Sequence, residues 1–166
     1  ERKPHQAVGS VHAADPEHAL LMARTVFARR PAAVSMWVVP AERVHAFTAE
    51  ELAQLDGHEQ EATSTSATTD YLVVVKSSNR RSMTFGDLLG KVVGSTLGEA
   101  VTASLELAGA EPVLALWLIE AASVVRSEPE DADAWFGPAL DKTYKQQSVY
   151  SSTATARRDA AERVPR

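Results

Sequence analysis

The apolar positions of this chain fall into two series that follow the same order. In the first, the small and β-branched residues at 7–13 predict a strand. Asp15 then stands as a helix N-cap, with Pro16 at the first helical position and Glu17 near the positive end of the helix dipole. Leu20, Ala23 and Phe27 recur at helical spacing, and Ala19, Met22 and Val26 widen the stripe. The spacing predicts an amphipathic helix that stops ahead of Pro31, because a residue before proline is pushed out of the helical region. Residues 34–39, VSMWVV, predict a second strand, and Thr48 with Glu51 predicts a capping box for a short helix.

Residues 57–69 contain no large apolar side chain, so they cannot bury enough surface to offset their ordering entropy. They are expected to be a linker. The second series opens at 70–76, DYLVVVK, the strongest strand pattern in the chain, with LGKVVGS as its hairpin partner. A helix follows, with Thr96 and Glu99 as capping box and Gly109 as C-cap. PVLALWLIE predicts a strand, and Ser127 with Glu130 is expected to cap a last short helix.

The order strand, helix, strand, capped helix therefore occurs twice. Val8-Gly9-Ser10 is matched to Val93-Gly94-Ser95, and Trp37-Val38-Val39 to Trp117-Leu118-Ile119. On that alignment the interval to the Trp is 29 residues in one copy and 24 in the other, a difference placed around the helix. Two copies are too few for a solenoid. The expected fold class is α/β (α+β), with two repeated units, each a mainly antiparallel sheet carrying one amphipathic helix. The division is 1–56 first repeat, 57–69 linker, 70–150 second repeat, and 151–166 a flexible C-terminus. The first copy has no counterpart of the 70–76 strand, and on this reading that strand is expected ahead of Glu1.

Length and composition fit this picture. A chain of 166 residues buries roughly 70% of its unfolded surface, enough for a core without staples. The 45% hydrophobic and 23% charged content is that of an ordinary globular protein. There is no cysteine, which excludes disulfides and thiolate sites and fits a cytoplasmic location. A net charge of −5, with Arg29-Arg30, Arg80-Arg81 and Arg157-Arg158 as scattered pairs, argues against nucleic acid as a partner. No apolar run approaches the length of a membrane span.

Candidate chemistry is thin. Glu42-x-x-His45 is half of a di-iron carboxylate pattern, but the second copy has Ala122 and Val125 at those places. Asp15-x-x-His18 opens a helix and is better read as capping. GDLLGK at 86–91 has three residues between its glycines and Val92 after the lysine, so it reads as a turn and not a phosphate loop. Glu128, Glu130, Asp131 and Asp133 lack the alternation and central glycine of a calcium loop and read as helix-start charge. No catalytic, cofactor or metal residue is assigned.

The stretch from Trp135 onward is different. Trp135, Phe136, Tyr144 and Tyr150 are four of the ten aromatic residues, in a segment without helix or strand period. Such aromatics either cover their own domain or dock on a partner.

These residues resemble a known family. The run VGSVHAAD…AL…AR…RR…VSMWVVPAERV, with WFGPALDKTY, is similar to the B subunit of the bacterial phenylacetyl-CoA epoxidase (monooxygenase), the PaaB family, read as two copies in tandem. The front copy carries Val8-Gly9-Ser10-Val11-His12-Ala13 and Trp37-Val38-Val39-Pro40; the rear copy carries Phe136, Pro138, Ala139, Asp141, Lys142 and Tyr144 of the tail. Gln146-Gln147 departs from the more basic or His-Pro sequence expected there, and the front copy has no tail. The resemblance implies a non-catalytic bridging subunit with no cofactor of its own. Its partners would be a di-iron oxygenase subunit and that subunit's structural paralogue. It marks Trp135, Phe136, Pro138, Asp141, Lys142, Tyr144 and Tyr150 as the partner interface, and suggests either self-association of the chain or an intrachain pseudo-dimer of the fused copies. The alternatives are a stand-alone small-molecule-binding or enzymatic α/β sandwich with His12 and His45 near a pocket, and a generic interaction module.

Overall fold

In the computed structural model, residues 4–28, 33–55 and 68–139 are described. The first copy supplies α1 (Pro16–Phe27), β1 (Trp37–Val38), a 3-10 turn at Ala41–Arg43, β2 (Val44–Thr48) and α2 (Ala49–Leu55). The second supplies β3 (Thr69–Lys76), β4 (Asp87–Gly94), α3 (Leu97–Ala108), β5 (Ala115–Glu120), a 3-10 turn at Ala121–Ser123, β6 (Val125–Arg126) and α4 (Ala132–Phe136). The fold is α+β, with two antiparallel sheets in the orders β1-β6 and β2-β5-β3-β4.

Most local signals act as expected. The Asp15 carboxylate accepts from the His18 N–H at the start of α1. Thr48 and Glu51 form the full capping box: the Thr48 N–H and hydroxyl both donate to Glu51 Oε2, and the Glu51 N–H donates to Thr48 Oγ1. At α3, Thr96 Oγ1 caps the Glu99 N–H, but Glu99 reaches back to Ser95 N–H and Oγ, one residue earlier than expected. Gly109 ends α3 at φ 62°, a left-handed conformation that suits glycine.

The copies do not fold side by side. They exchange strands. β1 pairs with β6 from Trp37↔Arg126 to Val38↔Val125, and β2 pairs with β5 from Val44↔Ile119 to Thr48↔Ala115. A shift of 80 residues carries Trp37 to Trp117 and Ala46 to Arg126, so the pair Trp37–Arg126 maps onto Trp117–Ala46. The same shift carries the 3-10 turn at Ala41–Arg43 onto Ala121–Ser123, at the middle of the crossed ladders. The two copies are thus paired around a pseudo-twofold axis, as the halves of an isologous dimer are.

Both cores are composite in the same way. Tyr71, Val73, Val75, Val92, Val101, Leu116 and Leu118, all from the second copy, enclose Leu52 of α2 and Phe47 of β2 from the first. Around α1, Leu20, Ala23 and Met36 enclose Phe136 of α4 from the second. Val73, Leu116 and Leu118 are 0% exposed, and burying each such side chain contributes about 1.5–3 kcal/mol.

Four expectations are corrected. Residues 7–13 form no strand: Ala7 exchanges backbone hydrogen bonds with Phe85 and Gly86 beside the Gln6↔Asp87 bridge, and among the described residues the ladder does not continue past it. Residues 86–91 are not a turn: Asp87–Gly94 is β4, and Lys91 pairs with Asp70 of β3 at 2.6 Å. Ser127 caps no helix; it is buried, and the chain enters α4 through a 3-10 turn at Pro129–Asp131. The counterpart of Gly9 is Gly90 and not Gly94. The helices have 12 residues each, and Gly9 and Gly90 both stand six residues ahead of their N-caps Asp15 and Thr96. A Cβ on Gly9 would lie 2.7 Å from Phe27, and one on Gly90 3.0 Å from Leu107, so each glycine lets its own helix's last turn approach. The second Val-Gly-Ser is a coincidence of small residues at a strand end.

Candidate partner interface

The crossing of the ladders is held by polar contacts between the copies. The Met36 N–H donates to Ser127 Oγ at 3.0 Å, and the Ser127 N–H donates to the Met36 carbonyl at 2.8 Å. Glu120 gathers Arg43 Nη1 at 3.2 Å and lies 3.6 Å from His45 Nε2, both from the first copy. Ser123 Oγ adds a 3.4 Å bond to the same carboxylate.

Each copy also carries an aromatic stack at the same spacing. His5 lies on Trp37 with ring centroids 3.9 Å apart, and Phe85 lies on Trp117 at 4.0 Å, each 32 residues ahead of its Trp. The Arg126 guanidinium stands 4.5 Å from the Trp37 ring, and Lys76 5.6 Å from the Phe85 ring. Burial, and secondarily the charge of Arg126, hold the His5 imidazole below its usual pKa. Both Trp side chains are half-buried and lie outside the two core clusters.

The aromatic segment after residue 134 is divided by the structure. Phe136 is 6% exposed and packs under α1, so it anchors the segment inside the chain. Trp135 is half-buried, with Arg24 5.6 Å from its ring. Arg24 Nε donates to the Trp135 carbonyl at 3.0 Å and Nη2 to the Ala134 carbonyl at 3.2 Å. Pro138 is exposed. Asp141, Lys142, Tyr144 and Tyr150 lie outside the described residues. The contacts of Ser127, Arg24 and Glu120 had no local sequence signal, because each partner comes from the other copy. The His5–Trp37 and Phe85–Trp117 spacing did carry one, visible once the copies are shifted by 80.

His12 is exposed, and His45 faces Glu120 and the edge of Tyr71. A recess bounded by Pro4, Val75, Asp87, Leu88 and Glu111 contains neither. Glu42 is exposed on its 3-10 turn. Among the described residues no three His, Asp or Glu side chains stand close enough to share a metal ion. None of the described helices is long and apolar enough to cross a membrane.

No curated protein and no solved structure matches the chain. The model of one family does: phenylacetic acid degradation B, PaaB, over residues 1–69 and again over 90–157. The second match begins at Gly90, the residue that the helix caps pair with Gly9. Two matched segments that together span most of the chain show that it belongs to the PaaB family and so to phenylacetate degradation.

Proposed function

We propose that the chain is a non-catalytic bridging subunit of a multicomponent phenylacetyl-CoA-type oxygenase, with the di-iron centre held by a partner subunit. The observation that carries this reading is the pairing of two PaaB copies across a pseudo-twofold axis. Such pairing puts a related surface from each copy on one polypeptide, with the tail on the rear copy alone, which suits an element that joins two partner units. The segment from Pro138 through Asp141, Lys142, Tyr144 and Tyr150 is the proposed anchor, since Phe136 ties its root to α1 while Pro138 is exposed. Aromatic side chains are the usual carriers of binding energy at such contacts.

Two measurements test the reading. Native mass spectrometry of the chain co-expressed with its neighbouring gene products should show it bound to a di-iron subunit. Recovery of the chain alone, or as an obligate dimer of whole chains, would overturn the bridging role. Tyr144→Ala should leave thermal unfolding unchanged while weakening the complex by ~30-fold or more, the effect of losing a hot-spot aromatic. Unfolding of that variant would instead assign Tyr144 to the chain's own core.

A further inference from the structure

Both Trp stacks carry a cation, and the two copies supply it from different places. Beside Trp37 stands Arg126, its partner across the β1-β6 ladder. The equivalent partner of Trp117 is Ala46, which is exposed and carries no charge. There the cation is Lys76 at the end of β3, 5.6 Å from the Phe85 ring that lies on Trp117. Indole, stacked ring and cation are thus combined twice, with cations that do not correspond under the shift of 80.

Neither of these cations forms an ion pair among the described residues, whereas Arg43 is held by Glu120 and Lys91 by Asp70. A cation drawn to a ring face keeps its outward N–H donors for a carboxylate. Burial and then the field of Arg126 hold the His5 imidazole below its usual pKa, as an unneutralised guanidinium does. Arg24 beside Trp135 differs, because its donors are committed to the Trp135 and Ala134 carbonyls. The exposure of the rings does not come from an unpaired strand. β5 is paired on both edges, by β2 and β3, and Trp117 is nonetheless half-buried.

We propose that the Trp37–Arg126 and Trp117–Lys76 sites are docking points for acidic side chains of a partner protein. The indole and its stacked ring give an apolar platform, and the cation beside it selects a carboxylate. Trp and Arg are among the residue types that carry most of the energy at such contacts. Both sites are half-exposed ring faces, and the recess bounded by Pro4, Val75 and Glu111 contains none of their residues. That shape suits a protruding side chain and not an enclosed small molecule. The proposal rests on the bridging reading for the existence of partner units, and gives each copy an acidic contact of its own.

The test uses the full chain by itself and a hexaglutamate peptide, read by the indole N–H resonances of the three Trp residues in NMR spectra. The Trp37 and Trp117 signals should shift saturably, and Trp135 should not. Arg126→Gln should abolish the Trp37 response and leave that of Trp117, and Lys76→Gln should do the reverse. Silent Trp37 and Trp117 signals, or an equal shift of Trp135, would overturn the proposal. Loss of both responses in either single variant would overturn the separate roles given to the two cations. An equal response to acetate at the same carboxylate concentration would mean an adventitious ion only, and would overturn it too. Signals that shift with the chain's own concentration before any peptide is added would assign the sites to the exposed Glu128, Glu130, Asp131 and Asp133 of a second copy, against a separate partner protein. Because the chain is tested by itself, each outcome is read whether or not a di-iron subunit is recovered with it.

Discussion

His5 and Phe85 occupy the same place on the two Trp rings, but only one of them can titrate. His5 is driven toward its neutral form by burial and by Arg126, so its folded pKa lies below the unfolded value of 6.5. The unfolded chain therefore binds more protons than the native one as pH falls through that value, and stability rises with pH across the same window. Acidification from pH 7.5 to 5.5 should lower the melting temperature, and His5→Phe should flatten that slope by removing the titrating group. A slope unchanged in His5→Phe would show that the stack does not carry it. The capping carboxylates act at lower pH. Hydrogen bonds from Thr48 hold Glu51 below the usual carboxylate range, and those from Ser95 do the same for Glu99. Their contribution is present above the ordinary Glu pKa and lost as pH falls through the depressed value. Single residues were legible wherever their partner was close in sequence. Asp15, Thr48 and Gly109 do what their neighbours required, whereas the glycine match failed because Val-Gly-Ser is too short to set an alignment.

At the scale of elements, the joint between β1 and β6 is the place where one residue holds two copies together. Ser127 gives its hydroxyl to a buried N–H of Met36 and donates its own N–H back. Ser127→Ala leaves that Met36 N–H without its side-chain acceptor, at a cost of about 1–3 kcal/mol in urea unfolding. Ser123→Ala, which breaks only a 3.4 Å contact to a partly exposed carboxylate, should fall within about 0.5 kcal/mol of the parent. Equal effects in the two variants would refute the role given to Ser127. The strand at 7–13 and the full length of 34–39 were misread for one reason. β-propensity describes how well a residue fits a pleated surface, but a strand exists only where a neighbour accepts its hydrogen bonds. The neighbour that β4 and β5 share is β3, and the first copy has none among the described residues.

For the molecule as a whole, exchange of strands makes the halves interdependent. Residues 1–56 alone would leave β1 and β2 without β6 and β5, and α1 without Phe136. Separately produced 1–56 should therefore be largely unfolded by circular dichroism. Mixed with 57–166 it should regain structure as a one-to-one complex, because the ladders β1-β6 and β2-β5 and both clusters join residues from the two fragments. Independent folding of 1–56 would show that the exchange is dispensable. The aromatic run from Trp135 divides at this scale too: Phe136 serves the fold, while Pro138 just beyond it is exposed.

Helix periodicity, caps, strand propensity and the duplication itself are local or near-local physics, and the sequence by itself determined them, along with the family resemblance carried by the two Trp strands and the tail. Which strand pairs with which was decided only in three dimensions. A period-two segment presents the same hydrogen-bonding edge to any partner, so nothing local distinguishes β1 beside β6 from β1 beside a strand of its own copy. The choice comes from burying both helices' apolar faces at once, and the exchanged arrangement does so by sending α2 and α4 into each other's half.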